Sequence, residues 1–287
     1  MTGGPNQDDD GVVGALPAVV NVAEIGAVTY SIPVQLPPGI GNIIPQLAVT
    51  YNSMHGNGLL GWGWTVSGLS TITRSRSTIY HDSLVDGVNF NGHDRFTLDG
   101  QRLMLINGGY GANEAQYRTE VDIMAKIVSY KQAGHNGPEK FKVWHKDGTI
   151  WYYGYTPDSR IEPQGQSNVA LTWLVNRIED RQGNFIIFHY AENNSIGEYY
   201  VSSIEYTGNT RLNQQPFYEI VFSYIDRNDK EFFFVGQSKV SKTKLLKDIS
   251  IKRKSPNETL FQYDFAYDEP SYENGDFYTR LNAISFH

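Results

Sequence analysis

Residues able to do chemistry are few in this chain, and their spacing argues against most reactions. The seven histidines stand at positions 55, 81, 93, 135, 145, 189 and 287. No two are four apart, so the paired histidines of a His-Glu-x-x-His metalloprotease helix are absent. His189 lies between Phe188 and Tyr190, and in a strand it points away from both. Gly165-Gln166-Ser167 and Gly236-Gln237-Ser238 open like a hydrolase elbow, Gly-x-Ser-x-Gly, but Val169 and Val240 stand where the last glycine must be. There is no P-loop lysine. The absence of cysteine excludes disulfides and thiolate zinc sites. Asp8-Asp9-Asp10-Gly11 lacks the alternating spacing and distal glutamate of a calcium loop. Gly56, Gly58 and Gly61 spell Gly-x-Gly-x-x-Gly after a candidate strand at residues 47–51. A dinucleotide site also needs a helix opening at the third glycine, and residues 62–68 are poor helix material. A carboxylate pair facing across strands, as in a glycosidase, stays open. So does stacking of Tyr and Trp on sugars, although core and cross-strand aromatics are the simpler reading. No catalytic set, cofactor site or metal site emerges.

The elements implied by the rest of the chain are strands. The 19 Tyr, 14 Phe and 5 Trp favour sheet, and the 28 Gly and 12 Pro punctuate it with turns. The net charge of −7 argues against nucleic acid and anionic membrane as partners. No run of 18 apolar residues spans a membrane, and no signal peptide opens the sequence. The stretch from His55 to Arg74 organises the chain. Its Gly61-Trp62-Gly63-Trp64 core suits a bent strand passing close to its neighbours, with Trp62 and Trp64 largely buried. Residues 1–20 are expected to form a disordered acidic tail. Residues 86–102 read as strand, turn and strand, with turns at Asn91-Gly92 and Asp99-Gly100. The clearest hairpin turns at Lys146-Asp147-Gly148, and residues 155–169 read as a loop between two halves.

The second half repeats itself. Val175-x-x-Ile178, Val201-x-x-Ile204, Leu246-x-x-Ile249 and Leu281-x-x-Ile284 are each a first strand. Phe188-x-Tyr190, Phe222-x-Tyr224 and Phe265-x-Tyr267 mark second strands. The Ile anchors should be buried on first strands that pair with the second strands, and each Phe-x-Tyr should share a face, with His189, Ser223 and Ala266 on the other. One hairpin is marginal alone, whereas stacked hairpins pair their edges. The expected class is all-β: curved antiparallel sheets of stacked hairpins with minor helix. The last first strand, residues 281–286, has no second strand after it, so it should lie on an edge or pair with an earlier strand, and the natural chain is expected to continue.

Residues 33–74 resemble the opening of the SpvB domain, found at the N-terminus of the Salmonella virulence plasmid protein B and of toxin-complex B components. The resemblance rests on Leu36-Pro37-Pro38-Gly39, the strand at 47–52, Gly61-Trp62-Gly63-Trp64 and Ile72-Thr73-Arg74. It continues in Asp94-Arg95-Phe96, residues 98–103, Asp147-Gly148-Thr149, Tyr152-Tyr153-Gly154, residues 178–181 and Gly183-Asn184. It implies an SpvB-type β region over residues 21–165 and degenerate Rhs or YD hairpin repeats over 166–287, forming part of a β-sheet shell. It also implies a secreted, non-enzymatic role in enclosing or delivering a toxin, with downstream repeats, a toxin domain and other toxin-complex subunits as partners. The Glu-x-Glu and Ser-Thr-Ser signatures of a following ADP-ribosyltransferase are missing here, and so is the Asp-Pro core of the shell's self-cleavage site. The residues expected to matter are therefore structural: Gly61, Trp62, Gly63, Trp64, Ile178, Phe188, Ile204, Phe222, Ile249, Phe265 and Ile284. A surface-binding module for glycan or host protein is the alternative reading, and a glycosidase a third.

Overall fold

Alternating apolar residues set the inner faces of the first sheet. The computed structural model describes residues 16, 18–22, 26–41, 43–270 and 277–287. Most of the acidic start lies outside the described residues. Val19 and Val20, placed in the expected tail, instead pair with Ser31 and Tyr30. Four strands, β1 (Val19–Val22), β2 (Val28–Pro33), β3 (Ala48–Asn52) and β6 (Trp64–Ser67), form an antiparallel sheet. Across it, Ile32 faces Val49 and Val49 faces Val66, a fully buried row. The short β4 (Asn57–Gly58) and β5 (Gly61–Trp62) make a hairpin between β3 and β6.

A barrel follows. Its strands are β7 (Thr71–Ser75), β8 (Arg95–Leu98), β9 (Gln101–Asn107), β10 (Gln116–Thr119), β11 (Lys126–Tyr130), β12 (Lys140–Trp144), β13 (Ile150–Tyr153) and, after the short β14 (Arg160–Ile161), β15 (Thr172–Glu179). Each pairs with the next, and β15 pairs with both β7 and β13, which closes eight strands. The interior is aromatic: Trp173 meets Phe96 and Phe141 edge-on at 5.4 and 4.9 Å, and Phe96 stacks on Tyr110 at 5.2 Å. The turn expected at Asn91-Gly92 joins no hairpin. Residues 87–94 are irregular, and only Asp99-Gly100 connects paired strands, β8 and β9. A single helical turn, α1 (Ile79–Asp82), precedes them.

The array begins where the barrel closes. β16 (Asn184–Asn193), β17 (Glu198–Asn209), β18 (Tyr218–Val235), β19 (Ser238–Arg253), β20 (Glu258–Asp268) and β21 (Arg280–Phe286) pair in chain order from β15 onward, all antiparallel. The chain is thus all-β. Residues 34–41 and 43–47 run across the array's buried side. There Tyr263 accepts from the Gln35 N–H at 2.8 Å, and the Tyr206 hydroxyl donates to the Pro37 carbonyl at 3.1 Å. One continuous core results, holding Val34 and Leu47 together with Ile204, Ile249 and Ile251.

The repeat has a definite geometry. Residues three apart in a regular strand face opposite ways, yet Val201 and Ile204 are both buried, as are Val175 and Ile178, and Leu246 and Ile249. A register shift resolves this. Tyr190 pairs with Val201 and His189 with Ser203, leaving Ser202 as a one-residue bulge. Lys247 and Asn282 are skipped in the same way, and Asn176 is skipped against β13. A bulge bends its strand and raises local twist, so a bend recurs at one position of every unit.

Candidate functional site

The glycine and tryptophan stretch is placed against the array, and it forms a clasp. At Gly61, φ is +87° and a Cβ would lie 2.5 Å from the Thr279 carbonyl. At Gly63, φ is +77° and a Cβ would lie 2.5 Å from the Tyr51 ring. Only glycine accepts both the backbone angle and the approach. The Trp62 N–H donates to the Thr279 carbonyl at 2.9 Å, and the Leu246 N–H to the Leu59 carbonyl at 2.8 Å. One loop from the first sheet is thereby tied to β19 and to the entry of β21.

Trp62 differs from expectation: it is 38 % exposed and stacks on Tyr278 at 4.2 Å. The seam there is made by the backbone and by the absent side chains of the flanking glycines, so the indole turns outward. Trp64 is half-buried rather than fully buried, against Tyr51 at 5.3 Å and Tyr30 at 6.0 Å.

At the centre of the clasp lies a buried charged network that the sequence did not flag. Between Asp226 and Glu231 the β18–β19 register breaks, and the bulged segment brings in Arg227 and Asp229. Arg227 is 1 % exposed and donates to Asp229 at 2.8 Å and to Asn57. Asn57 donates back to Asp229 at 2.8 Å, and the Thr279 N–H donates to the same oxygen at 2.8 Å. Burial alone would push the Asp229 carboxyl up. The hydrogen bonds from Arg227, Thr279 and Asn57 outweigh it and hold the group below its ordinary range. The barrel carries a comparable pair. Arg74 bonds Asp94 at 2.8 Å and the Ala170 carbonyl at 2.6 Å, and burial lowers its pKa in spite of Asp94. Arg74 was open to inference, because it shares the inward face of Ile72 and a charge there needs a partner. Nothing in the pattern around Arg227 announces its bulge.

The anchors of the array meet across strands. Phe188 faces Ile204, Phe222 faces Ile249 and Phe265 faces Ile284. Ile178, Ile204 and Ile249 are buried; Ile284 is only half-buried, on the last described strand. Each Phe is buried, while His189 and Ala266 are exposed and Ser223 is half-buried. The tyrosines do something the spacing did not reveal. Tyr190 donates to the Val175 carbonyl at 2.6 Å, Tyr224 to that of Val201 at 2.7 Å, and Tyr267 to that of Leu246. Those carbonyls lie two residues before the first paired residues of the hairpins, Arg177, Ser203 and Asp248. The hydroxyl thus satisfies a group the ladder leaves open. The pattern also starts one strand earlier than the Phe-x-Tyr signature: Trp151 faces Ile178 and Tyr153 faces Val175.

Among the described residues, no group of three or more His, Asp or Glu could hold a metal ion, and no helix is long and apolar enough to cross a membrane.

A closed barrel running through a shared strand into an array of latched hairpins defines an all-β class of fold. The chain belongs to the SpvB family, described as Salmonella virulence plasmid 65kDa B protein, whose profile matches residues 22–278. Its fold is similar to that of the N-terminal domain of effector protein SpvB from Salmonella typhimurium strain LT2. That match has TM-score 0.72 at 18 % identity and covers 90 % of this chain and 98 % of that one. A TcdB2-TccC3 crystal structure matches with TM-score 0.77 at 15 % identity, covering 94 % of this chain and 16 % of the other. A Photorhabdus luminescens Tc holotoxin pore matches with TM-score 0.74 at 17 % identity, covering 91 % and 15 %. The chain therefore spans about a sixth of the TcdB2-TccC3 chain. No curated protein matches it significantly.

Proposed function

We propose that this domain is a non-enzymatic structural part of a secreted toxin-complex protein. It forms a section of β-shell that encloses or delivers an effector carried further along the same chain or on an associated one. The observation that supports this best is the array itself. Each hairpin is latched internally by the same tyrosine bond and joins the next through the same bulge, a scheme that accepts further units of YD type along the sheet. In this reading Gly61, Gly63 and the Ile and Phe anchors serve the wall, and the partners are further repeats, the effector and other toxin-complex subunits. Family membership and the fold shared with toxin-complex structures support the same reading.

The test is electron microscopy of the full natural polypeptide, paired with limited proteolysis. The expected result is a hollow shell with this domain in its wall and an effector region that resists protease until the shell is opened. A domain standing free beside an effector as sensitive as the isolated effector would overturn it. That result would favour the surface-binding module instead.

A further inference from the structure

Two clefts meet where the clasp crosses the β18–β19 hairpin. One, of about 320 Å³, lies between Leu59, Tyr200, Phe233 and Lys244. The other, of about 310 Å³, lies between His55, Trp64 and Lys242. Both are lined by Gly58, Thr65 and Lys242, so they form one groove.

Cations outnumber carboxylates in the groove's lining. Lys242, Lys244 and Arg227 line it, whereas Glu198 is its acidic residue. Glu198 is buried and already accepts from the N–H and the hydroxyl of Thr243, and Arg227 is taken up by Asp229. The carboxylates that meet the two lysines, Asp226 at 2.6 Å and Glu231 at 3.9 Å, do not line the groove. Asp226 is 73 % exposed, and exposed pairs of this kind contribute little, so a ligand carboxylate can replace one at small cost. Beside the lysines stand apolar walls: Tyr200 and Phe233, the latter 46 % exposed. The spacing is equally specific. Lys242 and Lys244 are alternate residues of β19, on one face and about 7 Å apart along the strand. Alternate side chains of an extended peptide repeat at the same interval.

We propose that this groove binds an extended acidic peptide segment. Carboxylates two residues apart pair with Lys242 and Lys244, and a neighbouring apolar side chain lies against Tyr200 and Phe233.

The probe is a fluorescein-labelled peptide, Phe-Thr-Glu-Thr-Glu-Thr-Phe, titrated with the whole chain and read by fluorescence polarisation at low salt. Saturable binding is expected. It should weaken at least fivefold in Lys244→Gln and in Phe233→Ser, and again on raising salt to 0.3 M. Lys239→Gln, whose ammonium lies over Phe232 outside the groove, should bind as the wild type does. The counterpart peptide with Lys for Glu should not bind. Variants are compared only after matching thermal melts. Lys244→Gln leaves the clasp's hydrogen bonds intact, so it carries the test even if Phe233→Ser is unstable. No saturable binding, equal binding by a folded Lys244→Gln, or equal binding of the lysine peptide would overturn the proposal.

Discussion

Asp229 concentrates much of the clasp's electrostatics in one carboxylate. Its pKa is held below the ordinary range in the folded state, and in the unfolded chain it returns to about 4. Above that pH both states are ionised, and the native pairing contributes fully. As the pH falls below about 4, the unfolded chain takes up a proton that the native state refuses, and stability drains away until the folded-state value is passed. Asp229→Asn should therefore cost about 3–5 kcal/mol at neutral pH, because it leaves Arg227 buried without its counter-charge. Below pH 4 the variant should lose stability less steeply than the wild type. Thermal melts of both proteins from pH 7 down to 2.5 check this. Asp82 and Asp147 are also held low, so both proteins weaken in acid, and the difference between the two slopes isolates Asp229. Parallel slopes would show that the Asp229 charge is not what the clasp relies on.

At the scale of elements, the sequence showed that the hairpins repeat but not how they bend. The Val-x-x-Ile spacing was legible because both apolar ends recur. The bulge between them was not, because the skipped residue is Asn176, Ser202, Lys247 or Asn282, with no common chemistry. The Ile anchors 204 and 249 are the most widely spaced, and the added length went into the extended β18–β19 hairpin rather than a loop. That extension also carries Arg227 and one wall of the groove, which is why neither could be read from the repeat. Trp62 failed for a related reason: composition announces a large side chain and cannot say which way a two-residue strand turns it. The tyrosine bonds give a direct test of the unit. Tyr224→Phe keeps the ring and removes the donor to the Val201 carbonyl, so it should cost about 1 kcal/mol in urea unfolding. Faster amide exchange should be confined to the β17–β18 divergence. An unchanged midpoint and unchanged exchange would mean that water serves that carbonyl equally well.

At the scale of the whole molecule, the division of the sequence at residue 165 is a proposal about organisation, and β15 makes it testable. That strand falls just beyond the division, yet it is the eighth strand of the barrel and the first of the array. Residues 21–165 expressed alone lack the closing strand, and residues 166–287 alone lack the clasp and the segment covering the array's buried side. Neither fragment should give a cooperative melt, whereas the two mixed should recover one, as followed by circular dichroism. A cooperative melt from either fragment alone would show two independent folding units.

The double membership of β15 also sets how displacement travels. Its first half is bonded to β7 and β14, and its second half to β13 and β16. Among the described residues, barrel and array share this strand with no hinge between them at which rotation could be absorbed. A pull or twist applied to the hairpins arrives at the barrel wall as a load along one strand, resisted on both of its edges. The barrel then acts as a footing and β15 as the tie that transmits strain into it.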